Sequence, residues 1–299
     1  MVLPPRFKQF EQALLEWGKQ QDNIRAIIVV GSHARSYLPA DEYSDIDILF
    51  VVSNFAPFEQ SDTWLAQFGT PLISFVEYDP DTNTPEVRVV YEDGLAVDFP
   101  MLPAELVLST SVTQADEKVV SMLKRGHQFI LDKDGLTGRF SRVLQQQLPS
   151  RMESIEWCEN ALSELMFYCL NYAKKLRRGE SWLALQGCNA NLQWQMLALL
   201  EQVVLREQNG QVDTWYDGRF VERWLGDTWN TTLTLCYADQ NDHSIAQALL
   251  NCQFFAKQIA DRLGASPNLP FEHMEQLLKQ TLDHLLAAQT HSHSAITLN

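Results

Sequence analysis

The five cysteines, Cys158, Cys169, Cys188, Cys236 and Cys252, are an odd set, widely spread, with no Cys-x-x-Cys among them. That pattern argues against a disulfide framework or a zinc site and reads as buried thiols in a reducing compartment. Apolar runs long enough to cross a bilayer are missing as well. The opening Met1-Val2-Leu3-Pro4-Pro5-Arg6 lacks the basic region and apolar core of a secretory signal. The expectation is a cytoplasmic protein with no membrane partner. Positive charge is scarce: 23 Lys and Arg stand against 38 Asp and Glu, a formal charge of -15. Nucleic acid and anionic membrane are polyanions, so neither is an expected partner. A cationic small molecule is compatible with this balance, as is acidity that serves solubility alone. No internal repeat is visible.

With 45% of its 299 residues hydrophobic, the chain can bury the cores of two ordinary domains. Phe7, Phe10, Leu14 and Trp17 recur at helical spacing within Phe7 to Gln21. A β-branched run, Ile24 to Val30, runs into Gly31-Ser32 and a short helix expected around His33 to Tyr37, closed by Pro39. Ile46 to Val52 reads as a second strand. Ser61-Asp62 looks like the N-cap of a helix through Trp64, Leu65 and Phe68, stopped by Gly69. Leu72 to Val76 is a third strand. Glu86 to Tyr91 and Leu95 to Phe99 flank Glu92-Asp93-Gly94, and Asp-Gly between β-prone runs signals a hairpin.

From Asp116 onward strand signals fade. Helices are expected over Val119–Phe129, Phe140–Leu148, Met152–Arg178, Leu183–Arg206, Phe220–Leu225, Thr231–Tyr237, Ile245–Leu263 and Phe271–Ala288. A strand-rich half followed by an all-helical half predicts an α+β chain, divided at 1–145 and 146–299, the boundary lying between Leu136 and Ser150. The tail His291-Ser292-His293 reads as a frayed end.

The chemistry concentrates between Gly31 and Phe50. Strand side chains alternate, so Asp45 and Asp47 project together while Ile46 and Ile48 face the other way. Adjacent carboxylates repel unless a cation lies between them, and a small set of hard oxygen ligands suits Mg²⁺. Gly31-Ser32 offers backbone N–H groups and a hydroxyl at a turn, a natural anion cradle. The hairpin brings Asp98 back among apolar residues, where an unpartnered carboxylate is expensive to bury. Each part has a plain alternative: Gly31-Ser32 as a turn, Asp45-Ile46-Asp47 as a solvent-facing strand start. Together they point to nucleotide handling.

Gly31-Ser32, Asp45-Ile46-Asp47 and Asp98 in this order resemble the active-site signature of the nucleotidyltransferase superfamily. The resemblance extends to the aminoglycoside 6-adenylyltransferase (streptomycin adenylyltransferase) family. It is carried by Tyr43-Ser44-Asp45-Ile46-Asp47, by 61–69 and 91–99, and in the helical half by Tyr172-Ala173-Lys174-Lys175-Leu176, Trp224-Leu225, Cys236-Tyr237-Ala238, 254–257 and 260–264. It implies a mixed sheet with flanking helices followed by an all-helical domain that binds substrate and nucleotide. The implied reaction is transfer of AMP from ATP to a hydroxyl of an aminoglycoside, releasing pyrophosphate.

The resemblance also implies roles. Asp45, Asp47 and Asp98 hold Mg²⁺, with Asp98 nearest the acceptor and also placed to take its proton. Gly31 and Ser32 contact the leaving phosphates, and Arg35 lies one helical step along, as phosphate ligand or as plain surface charge. Lys174 takes the position of a triphosphate-binding lysine. Read from the residues alone, Lys174, Lys175, Arg177 and Arg178 form a cationic helix C-terminus favoured by the macrodipole. A polycationic acceptor calls for carboxylates and aromatic faces in a cleft between domains, with Glu92, Asp93, Glu153, Glu156, Trp157 and Glu164 as candidates. Around Asn189–Met196, positions expected to be basic or aromatic hold neutral or different residues, which leaves the particular antibiotic open. The alternatives are another small-molecule, protein or RNA acceptor, or a nucleotide-binding protein without catalysis; monomer and dimer are both open.

Overall fold

Two apolar runs, Ile24–Val30 (β1) and Ile46–Val52 (β2), are buried almost throughout. Strands covered on both faces read as continuous hydrophobic stretches, and these two form the middle of a sheet. The computed structural model describes residues 5–80, 82–109, 117–145, 150–215, 217–265 and 268–287. It divides the chain into two units, Met1–Pro149 and Ser150–Asn299.

In the first unit, helix α1 (Pro5–Lys19) precedes β1, and a single helical turn, α2 (Gly31–Ala34), follows it. After β2 come α3 (Ala56–Glu59), a 3₁₀ turn (Thr63–Gln67), β3 (Pro71–Tyr78), β4 (Pro85–Tyr91) and β5 (Ala96–Pro103). Then follow α4 (Ala104–Ser109), α5 (Glu117–Arg125), β6 (Gln128–Asp132) and α6 (Thr137–Val143). The strand order is β3-β4-β5-β2-β1-β6. Only β2 and β5 pair in parallel; every other neighbour is antiparallel, so the sheet is mixed.

One face of this sheet carries Ile46, Ile48, Phe50, Val97, Phe99 and Met101, packed with Phe7, Phe10 and Leu14 of α1. Its aromatic centre includes Trp17 stacked on Trp64 at 5.6 Å and Phe50 beside Phe99 at 5.1 Å. The other face carries Ala26, Ile28, Val30, Leu49 and Val51 under Leu123, Leu136 and Phe140. A fully buried Ile or Phe contributes about 1.5–3 kcal/mol. Two-sided burial therefore fixes the register of β1 and β2 strongly, since a slip of one residue would reverse both faces.

The expected helix over Val119–Phe129 is a correction. It ends at Arg125, and Gln128–Asp132 is a strand paired antiparallel with β1. Gly126 stops the helix: its φ is +156°, and a Cβ there would lie 2.4 Å from the Ala34 carbonyl oxygen. The predicted helix at His33–Tyr37 is instead the turn Gly31–Ala34, with Arg35 already extended. Asp62 does not cap the 3₁₀ turn, because its carboxylate accepts from Ser74 Oγ at 3.0 Å; Ser61 Oγ meets the Thr63 N–H at 3.3 Å instead. The expected Phe140–Leu148 helix is α6, placed earlier, and 146–149 lie outside the described residues.

The second unit is helical: α7 (Ile155–Arg177), α8 (Ser181–Gln186), α9 (Gln193–Glu207), α10 (Val221–Trp224), α11 (Asp227–Thr234), α12 (Asp242–Leu263) and α13 (Phe271–Ala287). Ser154 caps α7 by accepting the Trp157 N–H at 3.1 Å, and Asn241 caps α12 through Ser244 N–H at 2.8 Å. The helix expected over Leu183–Arg206 is one path with a π-helical segment, Gly187–Leu192, between α8 and α9. Gly187 lets Tyr172 press against the backbone, where a Cβ would sit 2.2 Å from the ring. All five cysteines are buried free thiols. No helix among the described residues is long and apolar enough to cross a membrane. The His291–His293 tail and Ala288 lie outside the described residues.

Candidate active site

Sheet register builds this site. In the parallel pair Asp47 is the Cα partner of Asp98, and across the antiparallel pair it faces Val30, the last residue before Gly31. Asp47 and Asp98 point to the face carrying Leu49 and Val51, because Ile46, Ile48, Val97 and Phe99 fill the opposite core. Asp45 enters just ahead of β2. The loop before it is tied by Asp41, whose carboxylate accepts from Tyr43 N–H and Ser44 Oγ, both at 3.0 Å. The three carboxylates of Asp45, Asp47 and Asp98 then offer oxygens all within 4.8 Å of one another. Asp45 is exposed, while Asp47 and Asp98 are half-buried.

Gly31 closes the site from the β1 side. Its φ is +63°, and a Cβ on it would lie 1.9 Å from Asp47 Oδ2. Glycine is thus required twice, for the left-handed backbone and for the close approach of the carboxylate. Ser32 is buried, and its hydroxyl reaches the Asp45 carbonyl oxygen at 3.4 Å. Arg35 turns its Nε to the Leu38 carbonyl. His33 stacks on Phe7 at 4.4 Å, and among the described residues its Nδ1 has no hydrogen-bond partner. Burial lowers the His33 pKa against the upward pull of Asp45.

The sheet also brings in residues that the sequence reading did not select. Arg88 is the register partner of Asp98 on β4, with its Nε 3.8 Å from Asp98 Oδ2. Shorter contacts hold the same guanidinium: Nε to Glu86 Oε1 at 3.1 Å and Nη2 to Glu77 Oε2 at 3.1 Å. Burial raises the Asp98 pKa, Arg88 lowers it and Asp45 raises it, with a net upward result. Glu86 is raised in the same manner, by burial first, then by Asp98 against the relief from Arg88. A signal for Arg88 was available. Counting outward from the Asp93-Gly94 turn, with Tyr91 bonded to Leu95, pairs Val90 with Ala96, Val89 with Val97 and Arg88 with Asp98.

The remaining candidates stand apart from this cluster or in the other unit. Glu92 and Asp93 are exposed on the β4–β5 turn, and Asp93 is paired with Arg6. Lys174 is exposed in the last turn of α7, with Lys175 paired to Glu180 at 3.3 Å. Glu153, Glu156, Trp157 and Glu164 are exposed along the N-terminal half of that helix and just before it.

A carboxylate triad on adjacent strands beside a glycine turn matches a hard-cation and phosphate site in its donor chemistry. The three carboxylates offer hard oxygen donors within 4.8 Å of one another, a set whose chemistry fits a divalent ion. Comparison with known proteins bears on the family. The chain is 21% identical over 270 residues to an aminoglycoside 6-adenylyltransferase of Campylobacter jejuni, covering 86% of this chain and 88% of that protein. It is 20% identical over 283 residues to one of Staphylococcus aureus, covering 90% and 94%. With one of Bacillus subtilis (strain 168) it shares 19% over 247 residues, covering 80% and 83%. The model of the streptomycin adenylyltransferase family matches residues 6–285, nearly the whole described chain, and the protein belongs to that family.

Proposed function

We propose that the protein transfers AMP from ATP to a hydroxyl of an aminoglycoside of the streptomycin type, releasing pyrophosphate. The observation that carries this reading is the convergence of Asp45, Asp47 and Asp98 within 4.8 Å beside the Gly31 turn. Family membership and the names of the three relatives support the acceptor class. Asp45, Asp47 and Asp98 would hold Mg²⁺, which when bound polarises the transferred phosphoryl group and neutralises its charge.

The chain's own groups do the rest. Gly31 and the backbone of α2 present N–H groups to the leaving phosphates, while Arg35 and Lys174 are cations for the triphosphate. Asp98, on β5, faces the acceptor and takes the proton from its hydroxyl as attack proceeds. Residues 1–145 serve as the catalytic domain, and residues 146–299 bind acceptor and nucleotide through exposed groups such as Glu156, Trp157 and Glu164. The acidic balance of -15 favours a polycationic acceptor over an RNA.

The test is direct. Protein, ATP and Mg²⁺ are incubated with a panel of aminoglycosides, and mass spectrometry looks for an AMP adduct alongside pyrophosphate. An adduct on a streptomycin-type member is expected, and Asp47→Asn should lower turnover on the order of a hundredfold or more. No adduct on any panel member would sink the acceptor class. Full turnover by Asp47→Asn would remove the metal-holding role.

A further inference from the structure

We infer that Arg88 is the built-in counter-ion of the carboxylate triad, held back from Asp98 so that the divalent-ion site stays open but weak. This rests on the reading that Asp98 helps hold a divalent ion. The guanidinium is Asp98's register partner, yet its nearest approach to that carboxylate is 3.8 Å. Its closer contacts, both 3.1 Å, go to Glu77 and to Glu86, which itself lies beside Asp98. An arginine left to itself beside a half-buried aspartate makes a bidentate pair with it, which would close the carboxylate to any metal. Here two glutamates on β3 and β4 compete for the fork. Glu77 and Glu86 are themselves Cα partners across those strands, so one cross-strand pair grips the guanidinium from both sides.

The electrostatic consequence follows from charge and distance. A unit positive charge a few ångströms from Asp98 weakens the pull of the triad on a divalent cation. At an effective dielectric near that of water this is on the order of tenfold in affinity. It also lessens the repulsion that Asp98, Glu86 and Glu77 exert on one another, which steadies the cluster when no cation is bound. Arg88 is thus a positioning residue that sets ion affinity. A site weakened in this way gains most when a triphosphate arrives, because the phosphates add the negative charge that Arg88 offsets. The ion is then loaded with nucleotide rather than before it.

The experiment is titration of the nucleotide-free protein with Mn²⁺ alone, followed by calorimetry or by the electron paramagnetic resonance signal of free Mn²⁺. Arg88→Gln is expected to tighten Mn²⁺ binding about tenfold, and Arg88→Lys, which keeps the charge, to stay near the parent. Glu77→Gln, at an exposed position, should act in the opposite direction. It frees the guanidinium to turn onto Asp98 and weakens Mn²⁺ binding several-fold, and that loss should shrink when Arg88→Gln is already present. Unchanged or weaker binding in Arg88→Gln, or Glu77→Gln binding as tightly as the parent, would overturn the inference. Asp47→Asn separates the two readings. If it binds Mn²⁺ as the parent does, the triad itself is not the ion site, whatever Arg88 does.

Discussion

Replacing Gly31 with alanine separates what the backbone needs from what the site needs. The new Cβ would lie 1.9 Å from Asp47 Oδ2, 2.8 Å from its Cγ and 3.2 Å from its Cβ, so the whole carboxylate must swing away rather than adjust its tip. The φ of +63° adds a left-handed penalty of about 1–2 kcal/mol. Gly94, on the hairpin turn, is the control: its φ is +82°, but nothing lies within 4 Å of a Cβ built there. Gly94→Ala should therefore cost about 1–2 kcal/mol in urea unfolding and leave turnover alone. Gly31→Ala should show at least that loss together with a drop in adenylyl transfer on the order of a hundredfold, as large as that of Asp47→Asn. In an Asp47→Ala background most of the clash is gone, and Gly31→Ala should then cost only the backbone penalty. Gly31→Ala with normal turnover would show that the position of the Asp47 carboxylate does not matter to the reaction.

Other outcomes follow from the same structure. Burial raises the Asp98 and Glu86 pKa values despite Arg88, so the folded, metal-free chain binds protons more tightly than the unfolded one. Its stability in EDTA should gain from these groups as pH falls through their raised values toward the ordinary carboxylate range, and Asp98→Asn should flatten that gain in urea unfolding. Asp132 has the opposite sign. Burial pulls its pKa up, but the hydrogen bonds from Thr137 and Leu136 at the start of α6 win and hold it low. Asp132→Ala should cost about 1–2 kcal/mol at neutral pH, and the difference from the parent should vanish as acid protonates the group. Lys174→Ala should raise the KM for ATP several-fold while unfolding stability stays within about 0.5 kcal/mol, as befits an exposed side chain. An unchanged KM would leave Lys174 as a helix-end charge only.

Much of the fold was readable where burial is strongest. Ile24–Val30 and Ile46–Val52 are strands with the bounds the apolar runs suggested, because residues buried on both faces carry an unbroken hydrophobic signal. The edge was harder. Gln128–Asp132 is half-buried along most of its length, so neither alternation nor a continuous apolar run marks it, and it blended into the helical pattern of Val119–Leu123 before it. Its identity as a strand depends on pairing with β1, a long-range contact invisible to a local window. The π-helical segment at Gly187 depends likewise on the Tyr172 ring, which comes from a different helix.

The site divides along the same line. Asp45 and Asp47 were legible from alternation, and Asp98 from a hairpin whose turn residues are close by in sequence. What alternation cannot supply is which strand lies beside β2. An order running outward from β2 to β3 would have placed the hairpin far from Asp47. The observed parallel pairing of β2 with β5, with a crossover between them, sets Asp98 directly against it. Once that pairing exists, β4 must follow β5 through the short turn, and Arg88, Glu86 and Glu77 come to the triad by register alone. The same turn that supplies the third carboxylate thus supplies its counter-ion. A change in hairpin register by one residue would turn Arg88 to the apolar face, and one by two residues would move it off Asp98, so the charge balance of the site is fixed by the length of the Glu92-Asp93-Gly94 turn.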